Sequence, residues 1–379
     1  MKKALIVSST GGFLSQFLEN DLELLQEKGY EIHYASDFQN PIYEFDEDQL
    51  KKRGIILHHI ILHKKPWHFI RNARGLIQLT RIIKKEKISL VHCHNPVGGM
   101  LGRLAALCSG LRPYVIYTAH GFHFFNGAPL AYWIIFYPIE KFLALFTDVI
   151  ITINGEDYNI AKSFRLERGG FVELMNGVGL DTDRFHPVKE ISDEVRKELG
   201  IPEGAFHIVT AAELNDNKNH IVILEALKLL GDNSVFYSIC GRGAKREELV
   251  QYIERNRLVN TVHLLGYRTD MERVLQSADV FAFPSKREGF GMAAVEALGC
   301  GVPVIAADNR GTREYMRNHK NGIVCNPEDA RSFAEAIKGM KNDEALRAEY
   351  SQNALKYSTK FSKAASKEKL REIYDRAGL

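Results

Sequence analysis

Residues 281–306, FAFPSKREGFGMAAVEALGCGVPVIA, read as strand, loop, helix, turn and strand. Val280–Pro284 is apolar and β-prone, and Pro284 ends it. Ser285–Gly291 carries loop residues with two glycines. Met292–Leu298 is a run of good helix formers, stopped by Gly299, Cys300 and Gly301, and Val302–Ala306 opens a second buried strand. Glu288 in the loop and Glu296 in the helix bracket the backbone of Phe290, Gly291 and Met292, which forms a helix N-terminus. Its free N–H groups and partial positive charge attract phosphate. An anion held there is flanked by two carboxylates roughly two helical turns apart. Carboxylates accept hydrogen bonds from sugar hydroxyls, so the arrangement suits a nucleotide sugar, with diphosphate in the middle, ribose on one side and hexose on the other.

Outward from this stretch the chain alternates strands and helices. In the N-terminal half Ala4–Val7, Tyr30–Ala35, Ile55–Leu62, Leu90–His94, Tyr114–Ala119 and Val149–Ile153 are apolar runs. Helices are expected at Phe13–Lys28, Trp67–Lys85, about Gly98–Cys108 and Pro129–Phe146, and residues 36–53 read as acidic and turn-rich. The pattern restarts after residue 187 with strands at His207–Ala212, Val235–Cys240, Val262–Leu265, Val280–Pro284, Val302–Ala306 and Gly322–Cys325. Parallel strands with helical crossovers make doubly wound sheets, and ligands bind outside the carboxyl ends of their strands. Two such units in series place the expected site in a cleft between them.

The 379 residues, 45% hydrophobic and 26% charged, describe an ordinary globular chain of two domains. A formal net charge of +3 carries no global nucleic-acid signal. Cys93, Cys108, Cys240, Cys300 and Cys325 show no zinc spacing and read as small buried residues in a reducing compartment. The N-terminal apolar run is too short for a signal peptide and reads as a first strand.

Other candidates sit at strand ends. Lys218, in AAELNDNKN (211–219), lies near a helix start, where an ammonium neutralises phosphate. Gly241 and Gly243 read equally as a tight turn or as a ligand contact. His120, in TAHG (118–121), ends a buried strand. His92 and His94 share one face of a strand, with no third metal ligand evident, and His120 with His123 is likewise discounted as a metal pair.

The segment PS-x-x-EGFG-x-x-x-x-EA-x-x-x-G-x-PV resembles the signature of the retaining glycosyltransferases of family 4. The resemblance covers about residues 207–326, and the N-terminal half more loosely. TAHGFHFF and ELNDNKN bring it nearest the bacterial enzymes of capsular and exopolysaccharide assembly. It implies an α/β, GT-B fold: two Rossmann-like doubly wound parallel-sheet domains facing across a cleft. Residues 1–187 are then the acceptor-side domain and 188–360 the nucleotide-sugar-binding domain. Residues 361–379 form a C-terminal helix crossing back. It implies transfer of a hexose from a nucleotide sugar, a UDP-sugar by family frequency, to a glycan or polyprenyl-diphosphate-linked acceptor. At the matching positions His120 and Glu288 are catalytic, His120 orienting the sugar and Glu288 holding hexose hydroxyls. Glu296 holds the ribose. Lys218, Gly289, Phe290, Gly291 and Met292 surround the diphosphate, Gly12 lets backbone approach it, and Arg268 or Tyr267 stacks on or flanks the base. With Lys218 and a helix N-terminus on the phosphates, no metal and no cofactor is required. Asp181-Thr182-Asp183 is accordingly read as part of the linker NGVGLDTDRFHP, not as a metal motif.

The chain departs from the family at Glu213, where an arginine touches phosphate. Either Arg242, Lys245 or Arg268 supplies that charge, or Glu213 turns away to pair with a cation. Residues 64–87, KKPWHFIRNARGLIQLTRIIKKEK, set Arg71, Arg74, Arg81 and Lys85 beside an apolar face of Trp67, Ile70, Ala73 and Ile77. That pattern reads as a membrane-surface helix or as a crossover helix with a solvated basic face. Pro129–Phe146 falls short of a span, with Pro138, Glu140 and Lys141 inside it. The expected location is the inner face of the cytoplasmic membrane. Partners are the nucleotide sugar, the acceptor and the membrane surface, with a second copy or a partner glycosyltransferase also admitted. Nucleic acid is excluded for want of aromatic stacking platforms. Two other readings share the fold. A nucleotide-sugar 2-epimerase would convert donor without acceptor. A non-catalytic subunit, favoured by Glu213, would bind donor without turnover.

Overall fold

The computed structural model describes residues 2–39, 41, 43–63, 67–188 and 191–379. The chain divides into two compact units, Met1–Gly179 with Ala364–Leu379 (unit 1) and Leu180–Lys363 (unit 2). Unit 1 runs β1 (Lys2–Val7), α1 (Phe13–Phe17), α2 (Glu19–Glu27), β2 (Tyr30–Ser36), α3 (Glu47–Lys52), β3 (Ile56–His59), α4 (Phe69–Glu86), β4 (Leu90–His94), α5 (Pro96–Ser109), β5 (Tyr114–Ala119), α6 (Leu130–Ala144), β6 (Val149–Thr152), α7 (Gly155–Ala161) and β7 (Phe171–Leu174). Unit 2 runs α8 (Ser192–Glu198), β8 (Phe206–Ala211), α9 (His220–Leu230), β9 (Val235–Cys240), α10 (Arg246–Arg255), β10 (Val262–Gly266), α11 (Met271–Gln276), β11 (Val280–Phe283), α12 (Met292–Gly299), β12 (Val304–Ala307), α13 (Thr312–Tyr315), β13 (Gly322–Cys325), α14 (Ala330–Asn342) and α15 (Glu344–Ser358). The last helix, α16 (Lys363–Arg376), returns to unit 1.

Both sheets are parallel, in the orders β3-β2-β1-β4-β5-β6-β7 and β10-β9-β8-β11-β12-β13. Ala4 to Val7 in β1 and all four residues of β11 are buried, as befits strands covered on both faces. Chain order reverses between β1 and β4 and between β8 and β11. The loops leaving those strands therefore diverge and open a crevice at their carboxyl ends.

The structure departs locally from the sequence reading. The helix expected over 13–28 breaks at Leu18 (φ −119°, ψ 24°), which is buried. Residues 36–53 include α3, capped by Asp46, whose carboxylate accepts from the Gln49 N–H at 2.9 Å. A further strand, β7, pairs with β6; half-buried throughout, it has no continuous apolar run to announce it. The units divide before Leu180, not at residue 187. Leu180 N–H donates to the Phe361 carbonyl at 2.6 Å, and the Leu180 carbonyl accepts from the Lys363 N–H at 2.8 Å. The Leu180 side chain packs under Gly299, where a Cβ would come within 2.8 Å of it. Cys108 is exposed; the other four cysteines are buried, and none is bonded.

Helix α4 docks through Asn72, Gly75, Leu79 and Ile83. At Gly75 a Cβ would lie 2.6 Å from the Ile61 carbonyl, so only glycine permits this approach. Trp67, Phe69, Ile70 and Ile77 are left exposed, beside exposed Arg71, Arg74, Arg81 and Lys85. Lys64, Lys65 and Pro66 of the basic segment lie outside the described residues. On α6, Leu130, Ile134, Ile135, Ile139 and Phe142 are exposed, and only Glu140, Leu143 and Ala144 are buried. Among the described residues no helix is long and apolar enough to cross a membrane.

One buried ion pair joins α5, α6 and β5. Arg103, fully buried, donates to Glu140 at 2.7 Å and to the Gly99 carbonyl at 2.9 Å, and its guanidinium lies 3.9 Å from the Tyr117 ring centroid. Removing one partner leaves an uncompensated buried charge. Arg103→Met is therefore expected to destabilise the protein by about 3 kcal/mol, and adding Glu140→Leu to recover most of that. Denaturant titration of both variants checks it; equal losses in the two would refute the account.

Candidate functional site

In unit 2 the two strands flanking the crevice each contribute one charged group. After β11 the chain turns through Pro284–Gly291 into α12. Gly291, the N-cap, sits in the left-handed region (φ 105°), and no side chain caps the helix. A Cβ there would come within 2.8 Å of the Phe283 ring and of the Tyr315 hydroxyl, so glycine is required twice over. Phe290 is buried, its ring 5.6 Å from Tyr315 and 5.5 Å from Phe361, which fixes the entry into α12. The N–H groups at the start of α12 are thus left for a ligand.

After β8, residues 212–219 lead into α9. Asn219 is its N-cap in the left-handed region (φ 53°), and Lys218 precedes it. Lys218 Nζ lies 2.5 Å from Glu288 Oε1. The loops are stitched together by amides. Asn217 donates to the Arg287 carbonyl at 2.9 Å, and its own carbonyl accepts from the Lys286 N–H at 2.8 Å. Asn219 donates to the Pro284 and Pro327 carbonyls, and Asn309 to the Ser285 carbonyl at 2.8 Å. Arg310, nearly buried, donates from Nε to the Glu288 carbonyl at 3.3 Å. At Gly311 a Cβ would meet the Phe290 carbonyl oxygen at 2.6 Å. Sequence reading missed Asn217, Asn219, Asn309 and Arg310. Their only signal was asparagines clustered at strand ends.

The structure narrows the question raised by Glu213, which is exposed and has no ion pair among the described residues. Of the three cations that could take the arginine's place, Arg268 is held by Asp270 at 2.7 Å and Glu198 at 3.1 Å. Lys245 pairs with Asp216 at 2.9 Å and Glu248 at 2.6 Å. Arg242 stacks over Tyr267 at 5.4 Å, with no carboxylate partner among the described residues. Gly241 and Gly243 serve close backbone packing: a Cβ at either would fall within 2.3 Å of the Ala212 or Leu214 carbonyl oxygen. Asp181 is engaged locally, accepting from the Asp183 and Arg184 N–H groups and pairing with Lys363 at 2.6 Å.

Gly12 and His120 lie in unit 1; the other candidates lie in unit 2. Gly12 has φ 80°, and a Cβ there would come 2.6 Å from the Tyr43 and Glu44 carbonyl oxygens. His120 follows β5, its ring 5.1 Å from that of Phe13 in an edge contact. Burial pushes its pKa down to about 4. Behind it, Asp21 stands as the third group beside His92 and His94 that the sequence did not disclose. His92 is already bonded on both nitrogens. Nε2 meets the Thr118 hydroxyl at 2.8 Å, and Nδ1 meets the Tyr374 hydroxyl at 3.1 Å. Burial holds Asp21 up at about 7, against a smaller lowering by the Tyr374 hydroxyl, and burial together with the nearby His120 holds His92 down at about 3.

Comparison with known proteins follows the same two halves. The family of glycosyl transferases group 1 matches residues 191–357, and the glycosyl transferase 4-like family matches residues 4–154. The chain is 34% identical over 377 residues to the putative glycosyltransferase EpsD of Bacillus subtilis (strain 168), covering 98% of this chain and 96% of that protein. It is 28% identical over 334 residues to an Escherichia coli UDP-Gal:alpha-D-GlcNAc-diphosphoundecaprenol alpha-1,3-galactosyltransferase, covering 86% and 84%. The Anabaena protein Alr3699/HepE, solved in complex with UDP, superposes with a TM-score of 0.80 at 18% identity, over 99% of this chain and 100% of that one.

Burial raises the Glu296 carboxyl from 4.5 to about 7, against a smaller pull from Arg184. A carboxyl whose folded-state pKa exceeds its unfolded value destabilises the fold once it ionises. The cost is absent below pH 4.5 and complete above pH 7. Discounted for partial exposure, Glu296→Gln is expected to add about 1–2 kcal/mol at pH 8 and nothing at pH 4.5. Chemical denaturation at both values checks it; an equal gain at each would refute the cause.

Proposed function

The chain belongs to the glycosyl transferases of group 1, with the GT-B fold, and on that premise we propose that it moves a hexose from a UDP-sugar to a polyprenyl-diphosphate-linked acceptor, with retention at the anomeric carbon. The observation that carries the reading is the Lys218–Glu288 pair beside the uncapped N-terminus of α12. The N–H groups after Phe290 and the Lys218 ammonium receive the diphosphate, where negative charge develops as the sugar departs. Glu288 accepts hydrogen bonds from the hexose hydroxyls and Glu296 from the ribose. Arg242, which stacks over Tyr267, supplies the second cation in place of the arginine replaced by Glu213. His120 orients the sugar. The acceptor hydroxyl attacks the face that the diphosphate leaves. The C1–O electron pair goes to the diphosphate, whose oxygen takes the acceptor's proton. No metal is used. UDP as the nucleotude and the lipid-linked acceptor are supported by the E. coli relative's name, and UDP also by the Anabaena complex. Cell-surface polysaccharide assembly is the setting that follows.

The exposed face of α4 lays this enzyme on the inner surface of the cytoplasmic membrane. Its apolar residues enter the headgroup boundary, its arginines meet anionic lipid, and the exposed apolar side of α6 adds to the contact.

A thermal-shift screen against UDP, GDP and ADP, with and without EDTA, is expected to show stabilisation by UDP alone, unchanged by EDTA, of about 2.7 kcal/mol at a hundredfold excess over Kd. Glu288→Ala should keep the fold by circular dichroism and lose at least about a hundredfold in transfer. Near-normal turnover in that variant would sink the reading, whereas UDP binding without turnover on any lipid-linked acceptor would favour a non-catalytic subunit. Sedimentation with phosphatidylglycerol vesicles tests the membrane contact. Replacing Arg71, Arg74 and Arg81 together with glutamine should weaken binding at least about tenfold at low salt. Equal binding by the variant would remove α4 from the membrane contact.

A further inference from the structure

Strand β4 reads LVHCH, so His92 and His94 share one face. Both rings are fully buried, with centroids 4.2 Å apart. The bonds of His92 run to Thr118 on β5 and Tyr374 on α16, and Asp21 on α2 lies 3.3 Å from its Nδ1. His94 has a different partner: its Nδ1 lies 3.2 Å from His120 Nε2. Its Nε2 is buried without a hydrogen-bond partner among the described residues.

That orphaned nitrogen decides the direction of the bond between the two histidines. Burial holds His120 at about 4 and His94 well below its ordinary value, so at neutral pH each ring carries one proton. If His120 donated from Nε2, His94 would accept at Nδ1 and hold its own proton on Nε2. That would be a buried N–H aimed at nothing. If His94 donates from Nδ1, its Nε2 is left as a bare lone pair instead. A buried unpaired N–H is the rarer and costlier defect. The proton therefore sits on His94 Nδ1, and His120 accepts at Nε2 and carries its own proton on Nδ1. The Phe13 edge contact holds the His120 ring in that plane, and His120 Nδ1 has no partner among the described residues.

We propose that His94 is a positioning residue which, by donating Nδ1–H to His120 Nε2, locks His120 in the Nδ1–H tautomer, so that His120 meets the nucleotide sugar as a hydrogen-bond donor. The contact with the sugar rests on the function proposed above; the tautomer does not. His120 then acts by orienting an oxygen of the donor and not by exchanging a proton, and the adjacent His94 keeps it in that role throughout turnover.

Histidine-selective 15N NMR of the whole protein at pH 7.5, with the His120 signals assigned by their loss in His120→Gln, tests the tautomer directly. The expected result is a protonated Nδ1 and a bare Nε2 on His120. His94→Leu removes the donor and should leave a mixture of tautomers. With it, kcat for release of UDP from the UDP-sugar should fall about tenfold, the effect of one hydrogen bond, while KM for the donor stays unchanged. His94→Asn places an amide N–H where Nδ1–H stood, and should restore the tautomer and most of the rate. A His120 proton on Nε2 in the unaltered protein would overturn the proposal. So would tautomer and rate left unchanged in His94→Leu. Normal turnover in His120→Gln would instead remove His120 from the proposed donor site, with the tautomer still standing on the NMR result.

Discussion

The contact between Lys218 and Glu288 is the constraint on which unit 2 is arranged. The two residues are 70 positions apart in the chain, yet their loops leave neighbouring strands, β8 and β11. Both strands are buried on both faces, so their loops can only project from the carboxyl ends. A half-buried ion pair gains little unless its surroundings are also satisfied. Here Asn217, Asn219 and Asn309 take up the carbonyls of Arg287, Pro284 and Ser285 in turn. The loop is thereby held open, and the left-handed Gly291 turns the first N–H groups of α12 outward. Because Lys218 and Glu288 neutralise one another, the net field at that opening comes from the helix end and from cations nearby. That suits an anion whose charge grows during reaction.

Unit 1 buries a layer of polar side chains beneath the site of His120. Below the ends of β4 and β5 lie Asp21, His92, His94, Thr118 and Tyr374, all buried. Such a layer is tolerable only if its members satisfy one another. Tyr374 supplies a hydroxyl to both Asp21 and His92, which ties α16 to α2 and β4 although it lies 282 residues beyond His92. The C-terminal helix is therefore part of the support beneath His120.

The same unit carries most of the exposed large apolar side chains, along α4 and α6. On α4 this follows from packing. Glycine at position 75 lets the helix approach the Ile61 carbonyl, and that approach selects the face of Asn72, Leu79 and Ile83. Its larger apolar residues Phe69, Ile70 and Ile77 are turned away from the sheet. A helix docked by its bulkier face would have buried them and left only a solvated basic stripe.

The sequence by itself determined the two parallel sheets, because strands covered on both faces must be continuous apolar runs such as ALIV and VFAF. It also determined the loop–helix unit around Glu288, Gly291 and Glu296, because left-handed backbone and an uncapped helix end require glycine at fixed spacing. These are local demands, met within a few residues of one another. The tertiary structure alone decided that α4 turns Phe69 and Ile70 outward and that Arg268 is held by Glu198. It alone decided that Asn309 and Arg310 brace the Glu288 loop and that His94 reaches His120. Each of these depends on which elements become neighbours across the sheet. A side chain's partner is then set by distances between residues tens to hundreds of positions apart, which local pattern does not encode.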